Sequence, residues 1–532
     1  MRAPSDSGPM PKFSRFLALC ILAASSAGAQ AASQKPTLVV MITIDGFREG
    51  NLDRFGPQLR GGLARLMNGG AWFTNAHHDH AITETAPGHA TLLSGRFPRS
   101  TGIAANRAGV LDPASPLLGF SGGAGASPTR FQGTELFDWL YARNPKSRAL
   151  SVSSKDRGAI LPIGRSKQQV YWYAPPDGEF TTSKYYADSL PDWVKKFNAR
   201  RIPDSYAGKS WTPLLADSAY KEPDSVSIEG GGRDFVFPHA LPTDVGQVDA
   251  VLWATPFGDE FEVAFALEGV NALHLGEGPQ TDLLAVSLSA TDLINHRLGP
   301  DSKEAHDQVL RTDRTIGMFL DSLFKLRDPS RVIVALSADH GFGTVPELAQ
   351  NLTPAPTRVT LQPAIVAARQ RMQALGLDTL AFEADQQIIF IDRAAFQKAK
   401  VNPDTVLHVF REEALKIPGV YRVDRFSDLV KGDTINDPIT RRWTHQFPAT
   451  APIDLIVTLT KGSLWAGPLV ASHGTPYDYD SNVPVIFYGG PFKTGKYSDF
   501  VRTVDIAPTL AAAAGVTPTE KLDGVVLTKA LK

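Results

Sequence analysis

Thr37-Leu38-Val39-Val40-Met41-Ile42-Thr43-Ile44-Asp45-Gly46 decides the fold class. The run before the acid is apolar or β-branched without polar alternation, as expected of a strand buried on both faces. An acid at the carboxyl end of such a strand sits where open α/β sheets bind their ligands. The pattern returns three times. Ala149–Ser153 delivers Lys155-Asp156-Arg157-Gly158, Asp282–Ser287 leads to Asp292 and His296, and Arg331–Leu336 leads to Asp339-His340-Gly341. Further strands are predicted at Trp72–Asn75, Asp454–Leu459 and Val483–Tyr488. Helical periodicity marks Leu59–Met67, Thr134–Arg143, Phe257–Glu268, Lys303–Leu326 and Val504–Ala514, the last stopping at Gly515. Such alternation predicts an α/β fold with a doubly wound, mostly parallel sheet. Two stretches break it, about 160–245 and about 345–450; the second has its own helix (365–375) and strand (387–391). Both are predicted to be irregular cap insertions in a domain spanning 30–532.

The 532 residues are 43% hydrophobic, enough for a large core, and the net charge of -1 gives no basis for a nucleic-acid or anionic-membrane role. Lys12 and Arg15 precede the apolar run Phe16–Ala24, and small residues at Ala27-Gly28-Ala29 and Ala29-Gln30-Ala31 follow. That order predicts a cleaved signal peptide at 1–29, with Met10 as a possible start, and a periplasmic or secreted product. The run is too short for stable membrane insertion. Cleavage removes Arg2, Lys12, Arg15 and Asp6, two net positive charges, and moves the balance from -1 to -3. It also removes Cys20, the only cysteine, so the mature chain has no disulfide, thiolate ligand or thiol nucleophile.

Thr83-Glu84-Thr85-Ala86-Pro87-Gly88-His89-Ala90 reads as a loop turning into a helix, because proline is tolerated in a first turn. Thr85 falls at or near the N-cap, beside free N–H groups that suit a phosphate or sulfate. On its own it would be a cap. Asp45, Asp292, His296, Asp339, His340 and His473 change that reading. Asp292 and His296 share a face if their segment is helical. Aspartate and histidine are zinc ligands where cysteine is lacking, and Mn²⁺ is the oxygen-rich alternative. Six ligands and a hydroxyl suit two metals ~4 Å apart, as in phosphoryl-transfer sites. Asp at a strand end can also simply cap the next helix. His77, His78 and His80 read as wall residues and His89 as packed support.

This set resembles the alkaline phosphatase superfamily through Ile44-Asp45-Gly46, Thr85-Ala86-Pro87-Gly88-His89, Asp292-x-x-x-His296, Asp339-His340-Gly341, His473-Gly474 and Val504-Asp505-Ile506-Ala507-Pro508-Thr509-Leu510. The resemblance implies two zinc ions per chain, one held by Asp292, His296 and His473, the other by Asp45, Asp339 and His340 with the Thr85 oxygen. It selects Thr85 over Thr83 as nucleophile. Asn106 resembles an asparagine shared by threonine-nucleophile phosphatases and nucleotide phosphodiesterases. Ser154-Lys155-Asp156-Arg157-Gly158 resembles the PafA-type periplasmic alkaline phosphatases, in which Lys155 and Arg157 would reach the phosphoryl oxygens. A monoester dianion has one more charge and one more non-bridging oxygen than a diester, so two added cations favour it. The expectation is hydrolysis of small phosphate monoesters through a phosphothreonine. The alternative is a phosphodiesterase or nucleotide pyrophosphatase with the same nucleophile and metals. The sequence leaves the oligomeric state open.

Overall fold

The computed structural model describes residues 8, 35–120, 124–175 and 177–532. Apart from Gly8, the expected signal peptide lies outside the described residues. A nine-stranded sheet runs in the order Gly495–Tyr497, Ala71–Phe73, Val485–Tyr488, Val332–Ser337, Leu38–Ile44, Asp282–Leu288, Ala149–Ser153, Gln169–Ala174 and Glu179–Thr181. From Val332–Ser337 to Gln169–Ala174 neighbouring strands are parallel, while Val485–Tyr488 and Glu179–Thr181 are antiparallel to their neighbours. The register sets Val40 between Val334 and Leu284.

Residues of the central strand alternate between two cores. Leu38, Val40, Ile42 and Ile44 pack on one face with Phe261, Phe265, Phe319 and Leu323, from helices Pro256–Ala272 and Lys303–Leu326. Val39 and Met41 pack on the other with Ala86, Leu93, Leu136 and Leu510, from helices Thr85–Ser94, Leu136–Arg143 and Ile506–Ala514. Cover on both faces is why every residue of the strand but Thr43 is apolar.

The expected insertions differ from the structure in two ways. Gln169–Ala174 and Glu179–Thr181 belong to the central sheet, so the first irregular stretch begins after Thr181. Tyr171 and Tyr173 join one core and Val170 and Trp172 the other, which is sheet-core behaviour by an aromatic-rich segment. The second insertion is ordered rather than irregular. It forms an antiparallel sheet in the order Phe382–Asp385, Ile388–Ile391, Leu455–Leu459 and Val420–Arg425, with helices Gln362–Ala374 and Asp404–Leu415 over its own core. Leu455–Leu459 therefore extends it beyond residue 450. Ile82 packs with Ile388, Trp443 and Ile456, tying this insertion to the loop that precedes Thr85.

Candidate active site

Four adjacent parallel strands end in the expected site residues. In spatial order they deliver Asp339 and His340, then Asp45, then Asp292, then Lys155. At Gly46 the backbone turns with φ +71°, and a Cβ there would lie 3.0 Å from the Asp292 Cα. Glycine therefore lets two of these strand ends meet. Asp292 and His296 lie one turn apart on helix Ala290–Leu298, on one face as expected.

Three imidazoles are held in one tautomer. Nδ1 of His296 lies 2.9 Å from the Ala471 carbonyl, that of His340 2.8 Å from Gly341, and that of His473 2.7 Å from Thr83. A carbonyl only accepts, so each Nδ1 donates and each Nε2 is left to bind something else. The Nε2 atoms of His296 and His473 each lie 3.4 Å from Asp292 Oδ1. His340 Nε2 lies 3.4 Å from Asp45 Oδ1, 3.6 Å from Asp339 Oδ2 and 3.9 Å from Asp292 Oδ1. Asp45 Oδ1, Asp292 Oδ1, Asp339 Oδ2 and His340 Nε2 are buried and make no hydrogen bond. Native interiors avoid such orphaned groups unless a ligand uses them.

These atoms form two groups with metal-ligating geometry, Asp292/His296/His473 and Asp45/Asp292/His340. The first is the expected set. In the second Asp292 stands where Asp339 was expected. Asp339 spends Oδ1 on the N–H groups of Gly46, at 3.1 Å, and His340, at 3.0 Å, and turns Oδ2 towards His89 Nδ1, 3.2 Å away. Asp292 thus borders both groups. Buried carboxylates faced by imidazoles whose Nδ1 is already committed suit divalent ions of the zinc type, so the residues fit the implied metals.

The electrostatics agree. Burial would lower His340, but the carboxylates of Asp339, Asp45 and Asp292 raise it to about 10. Burial and the neighbouring His340 push His473 down to about 3. Burial opposes ionisation of Asp292, yet His296 and Lys155 hold it well below the usual carboxylate range. The cluster attracts cations, and a lysine provides one. Lys155 Nζ lies 2.7 Å from Asp45 Oδ2 and 2.5 Å from Asp292 Oδ2. These carboxylates outweigh the burial that would lower its pKa and raise it instead.

Thr85 is the first residue of its helix and 1% exposed, while Glu84 holds the N-cap position. The threonine was expected at or near the cap, and it stands one place inside it. A Cβ on Gly88 would meet the Asp339 carbonyl oxygen at 2.0 Å, so this helix presses directly on the Asp339 strand end. His89 supports the contact, with its ring nitrogens 2.9 Å from the Thr85 carbonyl and 2.8 Å from Ser287 Oγ. The Thr83 hydroxyl donates to the Thr475 carbonyl at 3.0 Å. Asn106 Oδ1 accepts the Ala86 N–H at 2.8 Å, and Asn106 N donates to Glu84 Oε2 at 2.7 Å. This clasp gives Glu84 a part that the sequence did not reveal. Its signal is an acid between two threonines, beside a helix start.

Lys155, Arg157, Asp292 and His296 line a cleft of about 330 Å³ walled by Trp172, Tyr173 and Trp253. Arg157 Nη1 contacts Asp156 at 3.5 Å. His78 bonds the Ala338 carbonyl at 2.8 Å and Thr503 Oγ1 at 3.0 Å. Like His77 and His80, it belongs to neither ligand group.

The sequence profile described as type I phosphodiesterase / nucleotide pyrophosphatase matches residues 39–445. Alkaline phosphatase PhoV of Synechococcus elongatus is 31% identical over 558 residues, covering 97% of this chain and 99% of that protein. Alkaline phosphatase PafA of Elizabethkingia meningoseptica is 29% identical over 500 residues, covering 90% and 91%. The crystal structure of wild type PafA superposes with a TM-score of 0.86 at 28% identity, covering 94% of this chain and 99% of that one. Similarity of this extent takes in the strands, the helix of Thr85 and the ligand groups together, and the chain belongs to the type I phosphodiesterase / nucleotide pyrophosphatase family of the alkaline phosphatase superfamily.

Proposed function

We propose that this protein is an exported alkaline phosphatase, hydrolysing small phosphate monoesters through a phosphothreonine on Thr85 at a two-zinc site. The observation that carries the monoester reading is Lys155, whose ammonium stands among the ligand carboxylates, with Arg157 in the adjoining cleft. Two such cations match the extra charge of a monoester dianion. The similarity to alkaline phosphatases over nearly the whole chain supports the same choice. Export rests on the signal-like residues 1–29, and no described helix is long and apolar enough to cross a membrane.

Asp292, His296 and His473 would hold one ion, and Asp45, His340 and Asp339, with Asp292 at their border, the other. Bound divalent ions supply Lewis-acid charge for the attacking and departing oxygens. The chain does the rest. Thr85 Oγ, at a helix start where positive backbone charge collects, gives up its proton and forms a bond to phosphorus as the bond to the leaving alkoxide breaks, and that alkoxide takes up a proton by way of solvent to leave as the alcohol. Water then attacks phosphorus from the vacated side, releasing phosphate and restoring the hydroxyl. The carbonyl of Asn106's side chain is tied to Ala86 N–H, which leaves its NH₂ to donate to a phosphoryl oxygen. Lys155 and Arg157 donate to the others, matching charge spread over the transferring group.

The family description favours a second reading, a phosphodiesterase or nucleotide pyrophosphatase. Comparing kcat/KM on p-nitrophenyl phosphate and bis(p-nitrophenyl) phosphate separates the two. The expected result is a monoester preference that Lys155→Ala reduces by about tenfold or more. A diester preference indifferent to Lys155→Ala would reject the proposal. A catalytically silent metal- or phosphate-binding protein would hold metal yet hydrolyse neither ester.

A further inference from the structure

Helix Pro256–Ala272 carries two buried acids that the reaction does not use. Asp259 and Glu262, each 1% exposed, meet the ends of the two strands that deliver Lys155 and Asp292. Ser289 N donates to Glu262 Oε2 at 3.2 Å, and Ser289 Oγ reaches Oε1 at 3.4 Å. Ala290 N donates to Asp259 Oδ1 at 3.0 Å, and Gln308 Nε2 donates to Asp259 Oδ2 at 2.8 Å. Ser289 Oγ also lies 3.2 Å from Ser153 Oγ, which accepts the Lys155 N–H at 3.1 Å.

Ser289 and Ala290 open the helix that carries Asp292 and His296, and Ser289 makes no side-chain cap of its own. The first N–H groups of this helix therefore find their acceptors on another helix. Glu262 also reaches the Lys155 N–H through the Ser289 and Ser153 hydroxyls. One carboxylate thus fastens both partners of the 2.5 Å Lys155–Asp292 contact. Burial raises Asp259 to about 7 and Glu262 well above the usual carboxylate range. Acids are costly at such positions unless they place something.

We propose that Asp259 and Glu262 are positioning residues that set Lys155 against the Asp292/His296 pair and thereby tune the preference for monoesters over diesters. This rests on the reading of Lys155 as a partner of the dianion. Neither acid needs to touch substrate; they act through Ser153, Ser289 and Ala290.

The test measures kcat/KM for p-nitrophenyl phosphate and its bis-ester, with bound metal and thermal unfolding, in the full-length protein. The variants are Glu262→Ala, Glu262→Gln, Lys155→Ala and the Glu262→Ala/Lys155→Ala double substitution. Glu262→Ala should cost about tenfold on the monoester and less than about threefold on the diester, with metal retained. Glu262→Gln, which keeps one accepting oxygen, should recover most of that selectivity. In the Lys155→Ala background the Glu262→Ala change should add less than about twofold. Equal losses on both esters, or a full effect without Lys155, would overturn the proposal. If Glu262→Ala does not fold, the similarly sized Glu262→Met and Asp259→Leu, which remove the accepting oxygens, decide: a lowered monoester-to-diester ratio supports the proposal, and a wild-type ratio in both overturns it. Lys155→Ala with a wild-type ratio would overturn the underlying reading and this proposal with it. A lowered ratio there, with Glu262 variants unchanged, overturns this proposal alone.

Discussion

At the residue scale, the site depends on which atom of a side chain is already spoken for. Asn106 shows this, since its Oδ1 serves the Ala86 N–H at 2.8 Å while its NH₂ is the group proposed to meet substrate. Asn106→Asp keeps an acceptor for Ala86 but adds charge where a phosphoryl oxygen should sit. Its melting temperature should stay near wild type while monoester kcat/KM falls about tenfold or more. Asn106→Ala should lose both, with roughly 1–3 kcal/mol of stability for the abandoned N–H. Thermal unfolding beside steady-state kinetics checks the pair. His473 gives a parallel case, because its Nδ1 is committed to Thr83 at 2.7 Å and only Nε2 faces Asp292. His473→Ala should lower the metal content of protein purified without chelator by about half, leaving the group around His340 occupied. Retention of two equivalents would remove His473 from the ligand set.

At the element scale, close approach of backbones is the constraint. Gly88 lets the Thr85 helix touch the Asp339 carbonyl, where an added Cβ would lie at 2.0 Å. Gly88→Ala should therefore cost roughly 3 kcal/mol and most activity, though Thr85 is intact; denaturant unfolding with an activity assay measures both. Glu49 links elements through pH. Burial, eased by the Trp72 hydrogen bond, raises its carboxyl to about 9 from 4.5. The folded state holds this proton where the unfolded chain has lost it, so its contribution to stability is full below about pH 4.5 and declines as pH rises towards 9. Glu49→Gln should raise the melting temperature near pH 8 and matter little near pH 4, as melts across that range would show. Regular elements such as Lys303–Leu326 are legible because one face of the helix is apolar at helical spacing. Gln169–Thr181 is not, because its tyrosines and tryptophan run into prolines, an aspartate and a glycine, a composition that reads as loop rather than as an apolar strand. Asp259 and Glu262 escape for another reason, as each caps backbone about thirty residues away.

At the scale of the whole molecule, the parallel sheet assembles a site from residues scattered between Asp45 and His473. Its motifs are legible because each follows an apolar strand with an acid, imidazole or lysine. What sequence spacing could not convey is that Asp292 borders both ligand groups, since that follows from neighbouring strands meeting at Gly46. The fold of the second insertion was equally hidden: its strands pair across long intervals, as when Ile388 meets Ile456. Because ligands come from several strand ends, bound metal should clamp the sheet. Chelation should lower the melting temperature by several degrees, corresponding to about 3–4 kcal/mol under ordinary loading, and restored zinc should reverse it. An unchanged melting curve would mean the strand ends hold together without ions. The most direct test is Thr85→Ala, measured for monoester turnover and for bound metal in one preparation. The expected result is turnover reduced at least about a thousandfold with metal content unchanged; undiminished phosphatase activity would contradict a threonine nucleophile at this position.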